Sequence, residues 1–227
     1  MLVFFSHVTS PIIVAFGAIQ FSPKFFGFLF SKSKNILYII LNMSLTKTPI
    51  CDFGKKAENF QLNSTDNKII SLKDIKGENG TLVMFICNHC PYVKAVINDI
   101  VNDSNILNKE GINFVAIMSN DVKNYPEDSF DNMIKFAKEN HFNFPYLIDE
   151  TQEIAKTYGA VCTPDFFGYN SNLELQYRGR IRELKELKPV RSGDSELLNA
   201  MRIVAQTGKG PEDQVPSMGC NIKWLNN

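Results

Sequence analysis

"TLVMFICNHCPYVKA", residues 81–95, sets an unbroken apolar run against two cysteines three positions apart, with a histidine between them and a proline directly after. The run 81–86 has the composition of a central strand buried on both faces, since no polar side chain alternates with the apolar ones after Thr81. Beyond the cysteines, Val93, Val96, Ile97, Ile100 and Val101 recur at helical spacing and Gly111 closes the segment. Cys87 and Cys90 therefore lie between the carboxyl end of a strand and the start of a helix. There the unpaired backbone N–H groups and the positive end of the helix dipole favour a thiolate. Their order predicts a lowered pKa for Cys87, the nucleophile, and a more shielded Cys90, the resolving thiol. A protonated His89 would stabilise the Cys87 thiolate further and make the couple more oxidising, while Pro91 suits an early helical turn.

Working outward, "AENFQL" and "KIISL" flank the turn-rich "NSTDN" and predict a hairpin over 58–72. "INFVAIM" (112–118) is the next strand, and "PEDSFDNMIKFAKEN" (126–140) reads as one amphipathic helix with proline and acids at its start. A short strand at "FPYLI", a helix at "TQEIAKTYG", a hairpin of "DFFGY" and "LELQYRG" around "NSN", and a last helix at "SELLNAMRIVAQTG" complete the pattern. Alternating strands and helices give an α/β fold with a mixed central sheet flanked by helices and an N-terminal β-hairpin extension. Active residues of such sheets gather at the carboxyl ends of strands, where Cys87 and Cys90 fall.

The 227 residues carry 24 basic and 24 acidic side chains in short alternations. No basic face suggests nucleic acid and no polybasic block suggests anionic lipid. Five cysteines (Cys51, Cys87, Cys90, Cys162, Cys220) are too few and too uneven for a disulfide scaffold, so reactive thiols in a reducing, cytoplasmic setting are expected. Residues 1–42 are Phe- and Ile-rich with no acidic side chain. They read as translated upstream sequence before a start at Met43, as a membrane anchor through Leu2–Phe21, or as a cleaved signal. Only an anchor would make a membrane a partner. The domain is expected over 50–207, followed by a tail over 208–227 that carries Cys220. A zinc ribbon would need a second CxxC or a His pair, and His7 and His141 have no such spacing, so no metal is assigned. A metal-binding module using Cys87, Cys90 and Cys162, or a binding module with an inert cysteine pair, are the readings from other classes.

"FGKKAENFQL", "VMFICNHCPYVKA", "YLIDETQEIAKTYGAVCTPDFFGYN" and "LQYRGRI" together resemble the thioredoxin-fold superfamily, specifically its peroxiredoxin-like, AhpC/TSA-related members. The resemblance implies a thiol oxidoreductase that needs no bound cofactor, acts on a disulfide-bearing protein or a peroxide, and is restored by a cellular dithiol. It implies that Thr163-Pro164 is a cis-proline loop facing the redox cysteines, its backbone pairing with a bound peptide. Cys162 then lies near Cys87, as a third redox thiol or a small buried hydrophobe; Cys220, in the irregular tail, reads separately as an auxiliary thiol that resolves Cys87 or as an unpaired tail cysteine. The chain departs from peroxiredoxins at Met84, where they carry a Thr, and at Thr163-Pro164, where they use an arginine; Arg178, Arg180 and Arg182 read as a solvated edge. It departs from thioredoxins in lacking a tryptophan before Cys87, and Glu58 replaces the proline of the opening motif.

Overall fold

A computed structural model describes residues 45–225, all within the compact unit Met43–Asn227. The readings of residues 1–42 lie outside the described residues. Seven strands form the main sheet: β2 (Gln61–Ser64), β3 (Ile69–Ser71), β4 (Gly80–Phe85), β5 (Ile112–Met118), β6 (Tyr146–Ile148), β8 (Asp165–Tyr169) and β9 (Leu175–Tyr177). Their order is β3-β2-β6-β5-β4-β8-β9, parallel across β4–β5 and β5–β6 and antiparallel elsewhere. The hairpin expected over 58–72 is β2–β3, and the one around "NSN" is β8–β9.

Every residue of β4 is buried, as its composition requires, and its side chains alternate between two cores. Leu82 and Met84 face one side, where helices α1 (Pro91–Leu107) and α4 (Glu196–Thr207) supply Val93, Ile97, Ile100, Leu197 and Met201. Val83 and Phe85 face the other, against Phe60, Leu72, Phe167 and Tyr158 of helix α3 (Glu153–Tyr158). Phe85, Phe167 and Tyr158 meet edge-to-face with centroids 5.6–5.7 Å apart, the geometry that ring quadrupoles favour. This is the α/β arrangement expected from the pattern and the thioredoxin-like fold implied by the resemblance, with α1 launched from the carboxyl end of β4.

Three features differ from the sequence reading. The helix expected over 126–140 is broken: a 3-10 turn spans Pro126–Asp128, Ser129 is extended at φ −57° and ψ 156°, and only then does α2 (Phe130–Glu139) begin. Ser129 is a natural N-cap type, and the break at this residue leaves Asp128 completely buried. The segment 208–225, expected to be irregular, contains a strand and folds back over the cysteine pair. Strand β12 (Met218–Asn221) pairs antiparallel with β1 (Leu45–Lys47) on one side and with β7 (Cys162–Thr163) on the other, so the unit begins before residue 50 and extends beyond 207. Arg178 is no solvated edge: its guanidinium is buried against Asp165 at 3.0 Å and lies 4.4 Å from the Phe167 ring centroid. A short hairpin, β10 (Leu184–Lys185) with β11 (Lys188–Pro189), completes the strands.

Candidate active site

Cys90 is the N-cap residue of α1, with φ −61° and ψ 122°, and Pro91 follows at the first helical position, where its missing N–H leaves nothing unpaired. Cys87 precedes it by three residues in the turn leaving β4. Both are buried, at 1% and 0% exposure, so exposure does not separate them. Their surroundings do. The Cys90 sulfur lies 3.1 Å from the Cys220 sulfur and 3.1 Å from the Thr163 carbonyl oxygen. The Cys87 sulfur is 3.4 Å from the Thr163 hydroxyl and 3.9 Å from His89 Nδ1. The peptide bond between Thr163 and Pro164 is cis, as the resemblance implied.

A single carboxylate organises the Cys87 side. Asp128 accepts from the backbone N–H of Asn88 at 2.8 Å and of His89 at 3.3 Å, from Asn120 Nδ2 at 2.8 Å, and pairs with His89 Nδ1 at 2.7 Å. Tyr146 donates to Asn88 Oδ1 at 3.0 Å, and the His89 ring stacks on Tyr125 with centroids 5.7 Å apart. Asp128 read as an ordinary first-turn acid in the sequence. The signal that could have found it is Ser129, a cap-type residue that ends the preceding turn and lets the acid face inward.

The electrostatics reverse the expectation for the two thiols. Burial pushes the Cys87 thiol well above its ordinary pKa, and the hydrogen bond with Cys90 and the nearby Asp128 charge push it further; the Thr163 hydroxyl opposes them. Cys90 is held below the ordinary range: burial opposes ionisation, but hydrogen bonds from Cys220, Cys87 and Thr163 and the Val93 N–H outweigh it. The Thr163 carbonyl, which can only accept, favours a protonated Cys90, and the Cys220 sulfur can accept from it as well as donate to it. These donors, added to the orphan N–H groups of the first helical turn, favour the thiolate on Cys90 over Cys87. Cys87 thus does not have the lowered pKa that its place in the motif suggested. Burial lowers the His89 pKa, but the hydrogen bond and charge of Asp128 more than compensate, so it lies above the usual imidazole value. The imidazolium spends its Nδ1–H on Asp128, which offsets its charge as seen by Cys87.

The structure gathers Cys87, His89, Cys90, Thr163, Pro164 and Cys220 into one cluster. Cys162, the adjacent residue of β7, has its sulfur 3.6 Å from Pro164 O, and burial pushes its thiol far up, which marks it as inert. The strand register also corrects the expectation of a free peptide-binding backbone at Thr163, because β12 already occupies that edge, with Cys220 opposite Thr163. Pro164 instead lines a cavity of about 240 Å³ bordered by Tyr92, Arg180, Arg182 and Met218. Sγ of Cys87, Nδ1 of His89 and a carboxylate oxygen of Asp128 lie within 4.8 Å of one another, a set of ligand types that a metal ion could share. Asp128, however, already accepts from four protein donors, so its lone pairs are committed.

Residues 53–184 match the model of the AhpC/TSA family, more than half of the chain. The chain belongs to the AhpC/TSA family. A thiol-disulfide oxidoreductase ResA of Bacillus thuringiensis subsp. konkukian is 30% identical over 126 residues, covering 54% of this chain and 66% of its own length. An uncharacterized conserved protein of Geobacillus kaustophilus has a crystal structure 41% identical to this AhpC/TSA member, with a TM-score of 0.77 over 82% of this chain and 98% of that one. A hypothetical protein of Sinorhizobium meliloti 1021 gives 33% identity and a TM-score of 0.74 over 80% and 100% of the two chains. Both solved relatives are matched over nearly their own full length. No described helix is long and apolar enough to cross a membrane.

Proposed function

We propose that this protein is a thiol-disulfide oxidoreductase in which Cys87 and Cys90 exchange with a disulfide-bearing protein. The observation that carries the reading is the placement of Cys87 and Cys90 at the start of a helix, both sulfurs against Thr163 of the cis Thr163-Pro164 bond, with the surroundings favouring a proton on Cys87 and the charge on Cys90. Such a pair can pass one proton between two sulfurs without solvent. The Cys87 sulfur attacks one sulfur of the substrate disulfide while its proton moves to Cys90, and the substrate's other sulfur leaves as a thiolate. Cys90 then gives that proton to the leaving thiolate and attacks the Cys87 sulfur. The mixed disulfide breaks, a Cys87–Cys90 bond forms, and the second substrate sulfur departs as a thiolate. A dithiol donor reverses the sequence to restore the reduced pair. Cys87 is the attacking thiol because it faces the Thr163 hydroxyl and the partly exposed His89, whereas Cys90 is enclosed by Cys87, Cys220 and the helix end. The thiol-disulfide oxidoreductase named among the relatives supports the same chemistry.

A peroxidase reading is weaker. Met84 and Thr163-Pro164 stand where peroxiredoxins carry a Thr and an Arg, so neither group is present to bind and polarise a peroxide. The test is disulfide reduction by the full chain with dithiothreitol as donor, run beside peroxide consumption by the same preparation. The expected outcome is turnover of the disulfide substrate that is lost in Cys87→Ser and, in Cys90→Ser, reduced to slow formation of a mixed disulfide on Cys87 that is not resolved, because the proton acceptor and the resolving thiol are both gone. Peroxide consumption several orders of magnitude faster than that of a free thiolate would replace this reading with the peroxidase.

A further inference from the structure

Strand β12 occupies the edge of β7 that would otherwise be open beside the cysteine pair, and it brings a thiol with it. Cys220 sits directly opposite Thr163 in the antiparallel register, is 2% exposed, and its sulfur touches that of Cys90. The close fit has a visible cause in Gly219, where a Cβ would fall 2.0 Å from the Thr163 carbonyl oxygen, so only glycine lets the two strands approach. Ser217 Oγ donates to Pro164 O at 2.7 Å on one side of the strand. On the other, the Lys223 N–H donates to Asn120 Oδ1 at 2.8 Å, and Asn120 is itself bound to Asp128. The third sulfur is thus anchored to the same two elements that hold the first two.

We propose that Cys220 is a third redox thiol whose partner is Cys90, so that the protein holds its oxidising equivalent in either a Cys87–Cys90 or a Cys90–Cys220 disulfide. The inference rests on the exchange chemistry proposed above. In the transfer step the Cys220 sulfur attacks the Cys90 sulfur of the Cys87–Cys90 bond. That bond breaks, the Cys90–Cys220 bond forms, and Cys87 leaves as a thiolate that takes up the proton Cys220 has released. No electrons enter or leave, so the step moves an existing disulfide and requires no further oxidant. A 3.1 Å approach of free sulfurs needs about 1 Å of closure to reach a disulfide bond length, within reach of side-chain adjustment. The consequence is that Cys87 returns to the free thiol while the oxidising equivalent is held in the interior until the dithiol donor removes it. This arrangement differs from a Cys220–Cys87 resolving bridge, because Cys90 lies between the two.

Full-length parent, Cys87→Ser and Cys220→Ser are oxidised with diamide, quenched in acid, alkylated and mapped by mass spectrometry over time. In the parent, Cys87–Cys90 should form first and Cys90–Cys220 should follow at its expense. Cys87→Ser should lose both remaining cluster thiols to an intramolecular Cys90–Cys220 bridge, and Cys220→Ser should stop at Cys87–Cys90. The proposal is overturned if Cys90 and Cys220 both remain alkylatable in Cys87→Ser while the parent forms only Cys87–Cys90. That result leaves the exchange reading standing, whereas a parent that never forms Cys87–Cys90 contradicts the exchange reading itself. If Cys220→Ser fails to fold, the Cys87→Ser arm decides alone.

Discussion

Cys87 and Cys90 are three residues apart, equally buried and joined by one hydrogen bond, yet their surroundings push them in opposite directions. Cys87 faces a carboxylate that already has a cationic partner. Cys90 faces two thiols, a hydroxyl and the start of a helix. The difference teaches that a cysteine's order within the motif does not set its charge. What sets it is which residue caps the helix and what the rest of the chain packs against each sulfur, and here the helix begins at Pro91, so Cys90 is at the cap.

The largest expected effect comes from removing the carboxylate that defines the Cys87 side. Asp128→Ala leaves the His89 cation unpaired and two backbone N–H groups without their acceptor, so it should cost about 3–5 kcal/mol in urea unfolding. It should also lower the Cys87 pKa, because a negative charge is lost beside it. The same variant has a pH signature. The folded pKa of His89 lies above its ordinary 6.5, so its contribution to stability is fully present below that value and is lost as pH rises through the folded pKa. Parent stability measured from pH 6 upward should show this loss, and Asp128→Ala should flatten it.

Next in size is the Cys90 side. Gly219→Ala drives a Cβ against the Thr163 carbonyl oxygen and should cost about 1–3 kcal/mol, with faster alkylation of Cys220 as β12 moves away. A stability loss with Cys220 alkylation unchanged would separate the strand from the thiol cluster. A smaller effect is expected of His89→Ala, which leaves Asp128 without its counter-charge beside Cys87 and should raise the Cys87 pKa, on the order of 1 kcal/mol in coupling. Thiolate absorbance titrated against pH measures it. The smallest is a control remote from both sides: Lys56→Ala removes the exposed ion pair with Glu174 and should leave the urea midpoint nearly unchanged. Its thiol titration should match the parent.

The sheet and the position of the cysteine pair were legible because their signals are local. β4 declares itself by an unbroken apolar run, α1 by the spacing of Val93, Val96, Ile97 and Ile100, and the hairpins by their turn residues. What escaped the sequence depends on pairing between distant segments. β12 holds only four residues, "MGCN", and has strand geometry because β1 and β7 flank it, which nothing in its own composition announces. Asp128 carries the pattern of a helix-start acid, and its inward turn follows from the break at Ser129. Arg178 looked like a charged edge because its buried partner, Asp165, lies on the neighbouring strand and is itself pushed up to about 6 by burial. The low pKa of Cys90 likewise needs Cys220, 130 residues away.

The central claim is that the thiolate of the cluster resides on Cys90. Thiolate absorbance titrated against pH in the reduced Cys87→Ser and Cys90→Ser variants tests it most directly. The account predicts that Cys87→Ser keeps a thiolate at pH values well below the ordinary thiol range and that Cys90→Ser loses it. A low-pH thiolate that survives in Cys90→Ser and vanishes in Cys87→Ser would contradict the account and return the charge to Cys87.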